Sequence, residues 1–248
     1  MLPIVLLPGL DGTGRMFRRF VDAAPPGFAP RVVSYPSHEV RSYAGLEPIA
    51  EAALPTSRPF VLLGESFGGP LSIRIAAKRP PGLVALVLVA TFARAPVPAW
   101  LARFRPWVHR SLFSFPPPAP VLRRLLAGWD ADAELIAEFQ ASSASVSPAV
   151  LAARVRAVLE VDATADLGRC PVPVLYLRAK REALLRPDLA EELKSHRPEL
   201  HLADVDTAHL VLQRDPRAAW RHIEAFDALI GFLDGSDDEW CECWPTSA

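Results

Sequence analysis

The chain has 248 residues, of which half are hydrophobic, and its 27 Lys and Arg against 28 Asp and Glu give a formal net charge of −1. These proportions are typical of a globular protein and exclude an intrinsically disordered chain. The near-neutral balance argues against a general nucleic-acid binder, which needs a basic surface to neutralise phosphates.

No segment of the sequence predicts a membrane anchor or a disulfide framework. The longest mostly apolar runs, residues 2–10 and 83–92, are too short to span a bilayer, and the N-terminus lacks the basic region of a secretory signal. The three cysteines, Cys170, Cys241 and Cys243, follow no disulfide spacing, and no further ligands complete a metal site around the last two. We therefore expect a cytoplasmic protein without a stable membrane anchor.

The first part of the chain alternates predicted strands and helices. Short apolar runs bounded by Pro or Gly predict buried strands, and amphipathic stretches predict helices. The predicted strands are residues 2–7, 31–36, 60–63 and 83–90. The predicted helices between and after them are residues 15–23, 42–54 and 70–79.

The pattern changes after residue 92, where no convincing strand occurs before residue 165. Helical pieces are predicted in that stretch around residues 100–110, 121–127, 133–140 and 148–159. Strands at 172–177 and 200–205 and helices at 187–195 and 216–233 then follow. This alternation predicts an α/β fold with three layers, a mostly parallel sheet covered by helices on both faces.

Because the strand-free stretch interrupts the sheet between two strands, it predicts an inserted helical cap rather than a second sequential domain. The predicted core is residues 1–91 and 166–233, and the predicted cap is residues 92–165. Residues 234–248 carry five acids and no base, so we expect an acidic, mobile C-terminal tail.

The most specific motif is GESFGG at residues 64–69, directly after a predicted strand and before a predicted helix. In such a strand–turn–helix elbow, the central Ser66 adopts a strained backbone conformation that lifts its side chain above the sheet. The tight turn requires residues without bulk two positions before and after, where Gly64 and Gly68 stand. This context predicts that Ser66 is a nucleophile.

A serine nucleophile needs a base, and one of six histidines has the expected position. His209 lies in the loop after the last predicted strand and before the last predicted helix. That loop lies at the carboxyl edge of the sheet, as Ser66 does. We therefore predict His209 as the base.

The acid that orients the base is predicted to be Glu182, in the turn after the strand at 172–177. Asp188 is a rival, although its position suits the first turn of a helix better. Asp204 and Asp206 lie close before His209 and are expected to shape its loop.

Two backbone N–H groups are needed where negative charge develops in acyl transfer. We predict the N–H of Phe67 and the N–H of Leu10, the latter in the glycine-rich loop at residues 6–14, with Asp11 lining the entrance. The same loop superficially suggests a phosphate-binding turn, but its glycines lack the dinucleotide spacing and no Gly-Lys-Ser/Thr follows.

These motifs resemble those of the α/β-hydrolase fold superfamily over nearly the whole chain. LLPGLDGTG resembles its oxyanion loop, GESFGG its nucleophile elbow, PVPVLYLRAKREALLRP its acid-bearing segment and AHLVLQRDP its histidine loop. The sequence departs from the family pattern at Pro8, where many members have histidine, and at Glu182, where most have aspartate. The resemblance implies hydrolysis of an acyl bond, and Ser66 argues against the members that open epoxides or remove halide with an aspartate.

The composition of the predicted cap bears on the substrate. Residues 92–129 contain six arginines, seven aromatic residues and no acid. Four aromatic residues are candidates for binding an acyl chain: Trp100, Phe104, Trp107 and Phe113. The alternative, which we favour for most of these residues, is that the aromatic side chains pack the cap onto the core and the arginines face water.

The sequence thus predicts a serine hydrolase that cleaves a carboxylic ester or thioester without metal or organic cofactor. The expected partner is a small acyl substrate, hydrophobic or carrier-bound. Two alternatives stay open: a ligand-binding protein with little turnover, and a carbon–carbon hydrolase or perhydrolase that uses the same residues.

Overall fold

The computed structural model describes residues 1–231, apart from the side chains of Ala99 and Leu101. Within that span, six strands form one sheet in the order β2-β1-β3-β4-β5-β6, and every neighbouring pair is parallel. The strands are β1 (Leu2–Leu7), β2 (Phe28–Val32), β3 (Phe60–Glu65), β4 (Leu83–Val89), β5 (Val174–Ala179) and β6 (His201–Val205).

Helices cover both faces of the sheet. They are α1 (Arg18–Asp22), α2 (Tyr43–Glu51), α3 (Gly68–Ala77), α4 (Ala99–Ala102), α5 (Ala119–Leu122), α6 (Ala133–Ala144), α7 (Pro148–Val158), α8 (Thr164–Gly168), α9 (Leu189–His196), α10 (Val211–Arg214) and α11 (Pro216–Ile230). The predicted three-layer α/β architecture with a mostly parallel sheet is confirmed.

Each strand supplies both halves of the core because successive side chains point to opposite faces of a sheet. In β1, Val5 and Leu7 pack into the apolar cluster under α2, α3, α8 and α9. Ile4 and Leu6 pack into the cluster on the opposite face, with α1 and α11. This double burial explains why the strand reads as a continuous apolar run.

The second strand begins and ends earlier than its predicted range of residues 31–36. Phe28–Val32 pairs with β1, and Pro30 is tolerated there because β2 is an edge strand. Beyond Val32, the chain turns toward the loop after β1, where the N–H of Tyr35 donates to the carbonyl of Gly12 at 2.7 Å. Val33 still donates to the carbonyl of Leu6 in β1 at 3.0 Å, whereas Tyr35 is buried by the loop rather than by strand pairing.

Residues 92–165, called here the inserted segment, lie between β4 and β5. The helix predicted at 100–110 is broken into α4 and two 3₁₀ turns, Arg105–Trp107 and Arg110–Phe113, because Pro106 lacks the N–H that a continuous helix requires. Helix α8 was not predicted, and the predicted boundary at residue 165 falls inside it.

The last helix matches its predicted start and is longer than most others. Asp215 accepts a hydrogen bond from the N–H of Ala218, and Pro216 occupies the first turn, as expected for a helix N-terminus. The helix ends at Gly231 in a left-handed conformation. The predicted end at residue 233 and the tail at 234–248 lie outside the described residues.

In residues 1–231, no helix is long and apolar enough to cross a membrane.

Candidate active site

The turn between β3 and α3 holds Ser66 in a left-handed backbone conformation, with φ of +49°. Non-glycine residues rarely adopt this conformation, so the surrounding structure must impose it. A Cβ atom at Gly64 would lie 2.6 Å from the carbonyl oxygen of Gly68, and one at Gly68 would lie 2.8 Å from the carbonyl carbon of Leu7. The two glycines thus make the close approach of β3, α3 and β1 possible.

His209 lies in the loop between β6 and α10, and it is 3% exposed. Its Nε2 atom lies 3.0 Å from the Oγ of Ser66. This distance is within hydrogen-bond reach for proton transfer between a serine and an imidazole.

Glu182 lies three residues after the end of β5, and its Oε2 atom is 2.7 Å from Nδ1 of His209. Its other oxygen, Oε1, accepts hydrogen bonds from the backbone N–H of Ala183 at 2.9 Å, Leu184 at 2.8 Å and Leu185 at 3.3 Å. Burial raises the pKa of this carboxyl, but the hydrogen bonds from His209 and from the backbone outweigh burial and hold the pKa below its usual range.

The rival Asp188 and the two aspartates that precede His209 form ion pairs elsewhere. Asp188 precedes α9 without capping it and lies 3.5 Å from the guanidinium of Arg186. Asp204 pairs with Arg178, and Asp206 pairs with an arginine on the same loop as Glu182. The structure therefore brings Ser66, His209 and Glu182 together and leaves these aspartates outside the group.

The peptide group that carries the Phe67 N–H is held through the carbonyl oxygen of Ser66. That oxygen accepts hydrogen bonds from the N–H of Gly69, at 3.0 Å, and from the hydroxyl of Thr91. Because a peptide bond is planar and trans, fixing the Ser66 carbonyl also fixes the direction of the Phe67 N–H on its opposite side. Tyr43 adds a hydrogen bond to the Phe67 carbonyl at 3.0 Å.

The peptide group that carries the Leu10 N–H is held in a similar way. The N–H of Gly12 donates to the carbonyl of Gly9 at 3.0 Å, closing a four-residue turn, and Gly12 has φ of +65°. A Cβ atom on Gly9 would lie 3.8 Å from the Cβ of Ser66, so the turn passes directly beside the serine. Within residues 1–231, the N–H groups of Leu10 and Phe67 donate no backbone hydrogen bond, so both are free to bind an oxyanion.

Asp11 lies in the same turn, and it is 8% exposed. Its Oδ2 atom accepts hydrogen bonds from the backbone and side chain of Thr13 and, at 2.8 Å, from the hydroxyl of Ser142 on α6. Asp11 thereby connects the turn after β1 to the inserted segment. Its predicted role at a substrate entrance stays a prediction.

The four aromatic candidates occupy two kinds of surroundings. Trp100 is 64% exposed, Phe104 53% and Trp107 77%, so these side chains do not pack the inserted segment onto the core. Phe113 is half-buried against a small apolar cluster of α7 and the residues before it. The role of all four side chains in binding an acyl chain stays a prediction.

Residues that the sequence did not single out also meet at this edge of the sheet. Thr91 follows β4 and was predictable in principle, because the residues after parallel strands gather at one edge. Glu65 is 5% exposed, and Gln213 on α10 donates to both of its carboxyl oxygens, at 3.0 and 3.3 Å. Burial raises the pKa of Glu65 to about 7.

The least predictable of these residues is Arg154, on α7. Its guanidinium donates to the carbonyl oxygens of Leu10 at 3.0 Å, Asp11 at 2.6 Å and Pro36 at 3.0 Å. Burial lowers the pKa of this arginine, and the charge of Asp11 opposes that shift.

In residues 1–231, no group of three His, Cys, Asp or Glu side chains is arranged as metal ligands would be.

A sequence model described as the alpha/beta hydrolase family matches residues 4–222. The match runs from β1 into α11, and it includes Ser66, Glu182 and His209. No curated protein matches the chain.

Solved structures share the architecture at low sequence identity. An esterase from Thermogutta terrifontis has a TM-score of 0.78 and 20% identity, covering 94% of this chain and 91% of its own. A lipase-esterase related protein from Clostridium acetobutylicum has a TM-score of 0.73 and 15% identity, with coverages of 90% and 93%. The enol-lactonase from Burkholderia xenovorans has a TM-score of 0.69 and 18% identity, with coverages of 92% and 91%. At these identities the likeness concerns the fold alone.

Proposed function

Because the chain belongs to the alpha/beta hydrolase family, as its motifs predicted, we propose that it is a serine hydrolase that cleaves a carboxylic ester or thioester through an acyl-enzyme intermediate. One observation carries the proposal: Ser66 Oγ lies 3.0 Å from one ring nitrogen of His209, while Glu182 lies 2.7 Å from the other. This pairing gives the serine a base and gives the base an orienting carboxylate.

The charge of Glu182 decides the tautomer of the imidazole. An ionised carboxylate can only accept hydrogen bonds, so Nδ1 of His209 carries the proton and Nε2 is left to accept from Ser66. The lowered pKa of Glu182 keeps the carboxylate ionised at neutral pH. The same negative charge stabilises the imidazolium that forms when His209 takes the serine proton.

In the first half of the reaction, Ser66 Oγ attacks the acyl carbon and His209 takes its proton. The negative charge that develops on the carbonyl oxygen is stabilised by the N–H groups of Phe67 and Leu10. Collapse of the tetrahedral intermediate breaks the bond to the leaving group, which receives the proton from His209. The alcohol or thiol departs and the acyl group stays on Ser66.

In the second half, water replaces the alcohol. His209 takes a proton from the water as it attacks the acyl carbon, and the second tetrahedral intermediate uses the same two N–H groups. Its collapse releases the carboxylic acid and returns the proton to Ser66.

The ester class is supported by the structural neighbours. One is named an esterase and another an enol-lactonase, and a lactone is an internal ester. The exposed aromatic side chains of the inserted segment favour an acyl group with apolar carbons over a charged one.

A fluorophosphonate probe tests the proposal, because it labels only a serine that a neighbouring base has activated. We expect stoichiometric labelling at Ser66, identified by peptide mass, and no labelling in His209→Ala. A series of acyl esters and acyl thioesters from two to twelve carbons then identifies the preferred substrate. An unlabelled Ser66 in folded protein would instead favour a hydrolase fold that binds a ligand without turnover.

A further inference from the structure

Arg154 is 2% exposed, yet all the hydrogen bonds that it makes in the described residues go to backbone carbonyl oxygens. Two of these carbonyls belong to Leu10 and Asp11, the two central residues of the turn beside Ser66. The third, of Pro36, lies on the chain after β2. A buried guanidinium from the inserted segment thus holds a turn of the core.

The position of these carbonyls connects Arg154 to the Leu10 N–H. The two peptides that Arg154 holds stand between Gly9 and Gly12, whose hydrogen bond of 3.0 Å closes the turn. The Gly9 carbonyl belongs to the same planar peptide as the Leu10 N–H, and it points the opposite way. Moving the two central peptides would open the turn and redirect the Leu10 N–H.

The guanidinium and the ring of Tyr35 also pack closely against the turn at Gly12. A Cβ atom at Gly12 would lie 2.7 Å from the ring of Tyr35 and 2.8 Å from the central carbon of the Arg154 guanidinium. The guanidinium carbon itself lies 5.6 Å from the centre of the Tyr35 ring. The turn is therefore packed between this ring and this cation.

We propose that Arg154 is a positioning residue for catalysis: from the inserted segment, it sets the direction of the Leu10 N–H that stabilises the oxyanion. The proposal rests on the proposed function. This N–H binds the uncharged carbonyl of the substrate more weakly than the oxyanion of either tetrahedral intermediate, because the negative charge develops only in the intermediates. Loss of Arg154 should therefore lower kcat and leave KM nearly unchanged, whichever half of the reaction limits the rate.

The test compares Arg154→Met with Arg156→Met on the same helix. Arg156 is half-buried and donates to the carbonyl of Val108, within the inserted segment, so its replacement removes an arginine of the same helix without touching the turn. Methionine keeps the apolar stem and removes the donors. Arg154→Lys is the conservative variant, because it keeps a positive charge and N–H donors on a flexible stem.

Steady-state kinetics on the best ester are measured for each variant, together with hydrogen exchange of a peptide that contains the Gly12 amide. We expect kcat of Arg154→Met to fall about 100-fold, close to the loss seen when one oxyanion donor is removed, with KM within about twofold. Arg154→Lys should recover part of kcat, and Arg156→Met should match the wild type. Gly12 exchange should rise at least about tenfold in Arg154→Met alone.

Two results would overturn the role of Arg154. Equal kcat in the two methionine variants, at equal folded fraction, would make Arg154 a packing residue only, and a loss confined to KM would make it a substrate-binding residue. If Arg154→Met does not fold, kcat and KM of Arg154→Lys are compared with those of Arg156→Met instead, and the same two results would overturn the role of Arg154. Fluorophosphonate labelling of the wild type separates the two proposals: an unreactive Ser66 overturns both, while a reactive Ser66 with an unchanged kcat in the variants overturns only this one.

Discussion

Ser66 Oγ and His209 Nε2 lie 3.0 Å apart although 143 positions separate the two residues in the chain. They meet because each follows a strand of one parallel sheet, and parallel strands end at the same edge. Glu182 follows β5, one of the two strands between them, and reaches the histidine from the other side. The proximity of these side chains is thus a consequence of strand direction.

Ser66→Ala should abolish hydrolysis and leave the fold intact. Alanine keeps the Cβ atom in the left-handed turn and removes the nucleophile, a loss that typically lowers kcat by about 10⁴–10⁶-fold. The measurement is kcat/KM on the best ester, with circular dichroism of the purified variant. Ser195→Ala is the matched control, because its hydroxyl bonds within α9, away from the site. More than about a tenth of wild-type activity in Ser66→Ala would exclude Ser66 as the nucleophile.

Glu182→Gln should lower kcat far more than Asp188→Asn. The carbonyl oxygen of glutamine can keep the hydrogen bonds from the backbone of the turn, but its amide then donates toward Nδ1 of His209 and favours the wrong tautomer. In serine proteases the corresponding change lowers kcat by about 10⁴-fold. The carboxylate of Asp188 is exposed and lies 3.5 Å from the half-buried guanidinium of Arg186, so its replacement should change stability by less than about 1 kcal/mol.

The comparison of these two variants is made by kcat on a single ester at neutral pH, with thermal unfolding as the check on folding. Comparable losses of kcat in both variants would leave the acid unassigned. A large loss in Asp188→Asn alone would move the role to that residue.

The site residues that the sequence could identify are those placed by the strand–loop–helix alternation. Ser66, Glu182 and His209 each follow a strand, so the order of elements was enough to put them at one edge. The second strand was misplaced because one of the apolar residues that predicted it is buried for another reason: Tyr35 packs against the turn after β1 rather than in the sheet.

Arg154 could not be identified from the sequence. It is one arginine among several in the inserted segment, and helical periodicity does not distinguish a guanidinium that faces water from one that holds a turn of the core. Its contacts depend on how α7 lies over the loop after β1, a long-range relationship that no local pattern encodes.

Trp107→Ala should change chain-length preference without changing stability. The side chain is 77% exposed, so its removal opens no cavity and should alter the free energy of unfolding by less than about 0.5 kcal/mol. If it contacts the distal carbons of a long acyl group, kcat/KM for twelve-carbon esters should fall about tenfold, while acetyl esters stay unchanged. Phe115→Ala, at 84% exposure, is the control for a general effect of removing an exposed ring. An equal loss on every chain length would remove Trp107 from the substrate site.

Glu65→Gln should make the protein more stable relative to the wild type as the pH rises from about 5 to 8. Burial raises the pKa of Glu65 from an ordinary 4.5 to about 7, so folding favours the protonated carboxyl. The unfolded chain releases that proton near pH 4.5 and the folded chain keeps it up to about pH 7, so wild-type stability falls across this window. The pKa difference corresponds to about 3 kcal/mol, and the neutral amide of glutamine escapes this loss.

The carbonyl oxygen of the new amide can keep a hydrogen bond from Nε2 of Gln213, which donates to the Glu65 carboxyl at 3.0 Å. Glu47→Gln is the control of opposite sign. Burial raises the pKa of Glu47, but hydrogen bonds from Lys78 and Arg74 outweigh burial and lower it, so this carboxylate stabilises the fold above its unfolded pKa and that contribution is lost as the pH falls. Urea unfolding from pH 3 to 8 measures both, because the Glu47 contribution is lost only below the ordinary pKa of 4.5. For each variant, the free energy of unfolding relative to the wild type is plotted against pH. Parallel slopes of the two plots between pH 5 and 8 would show that the buried carboxyl of Glu65 is ionised across this range.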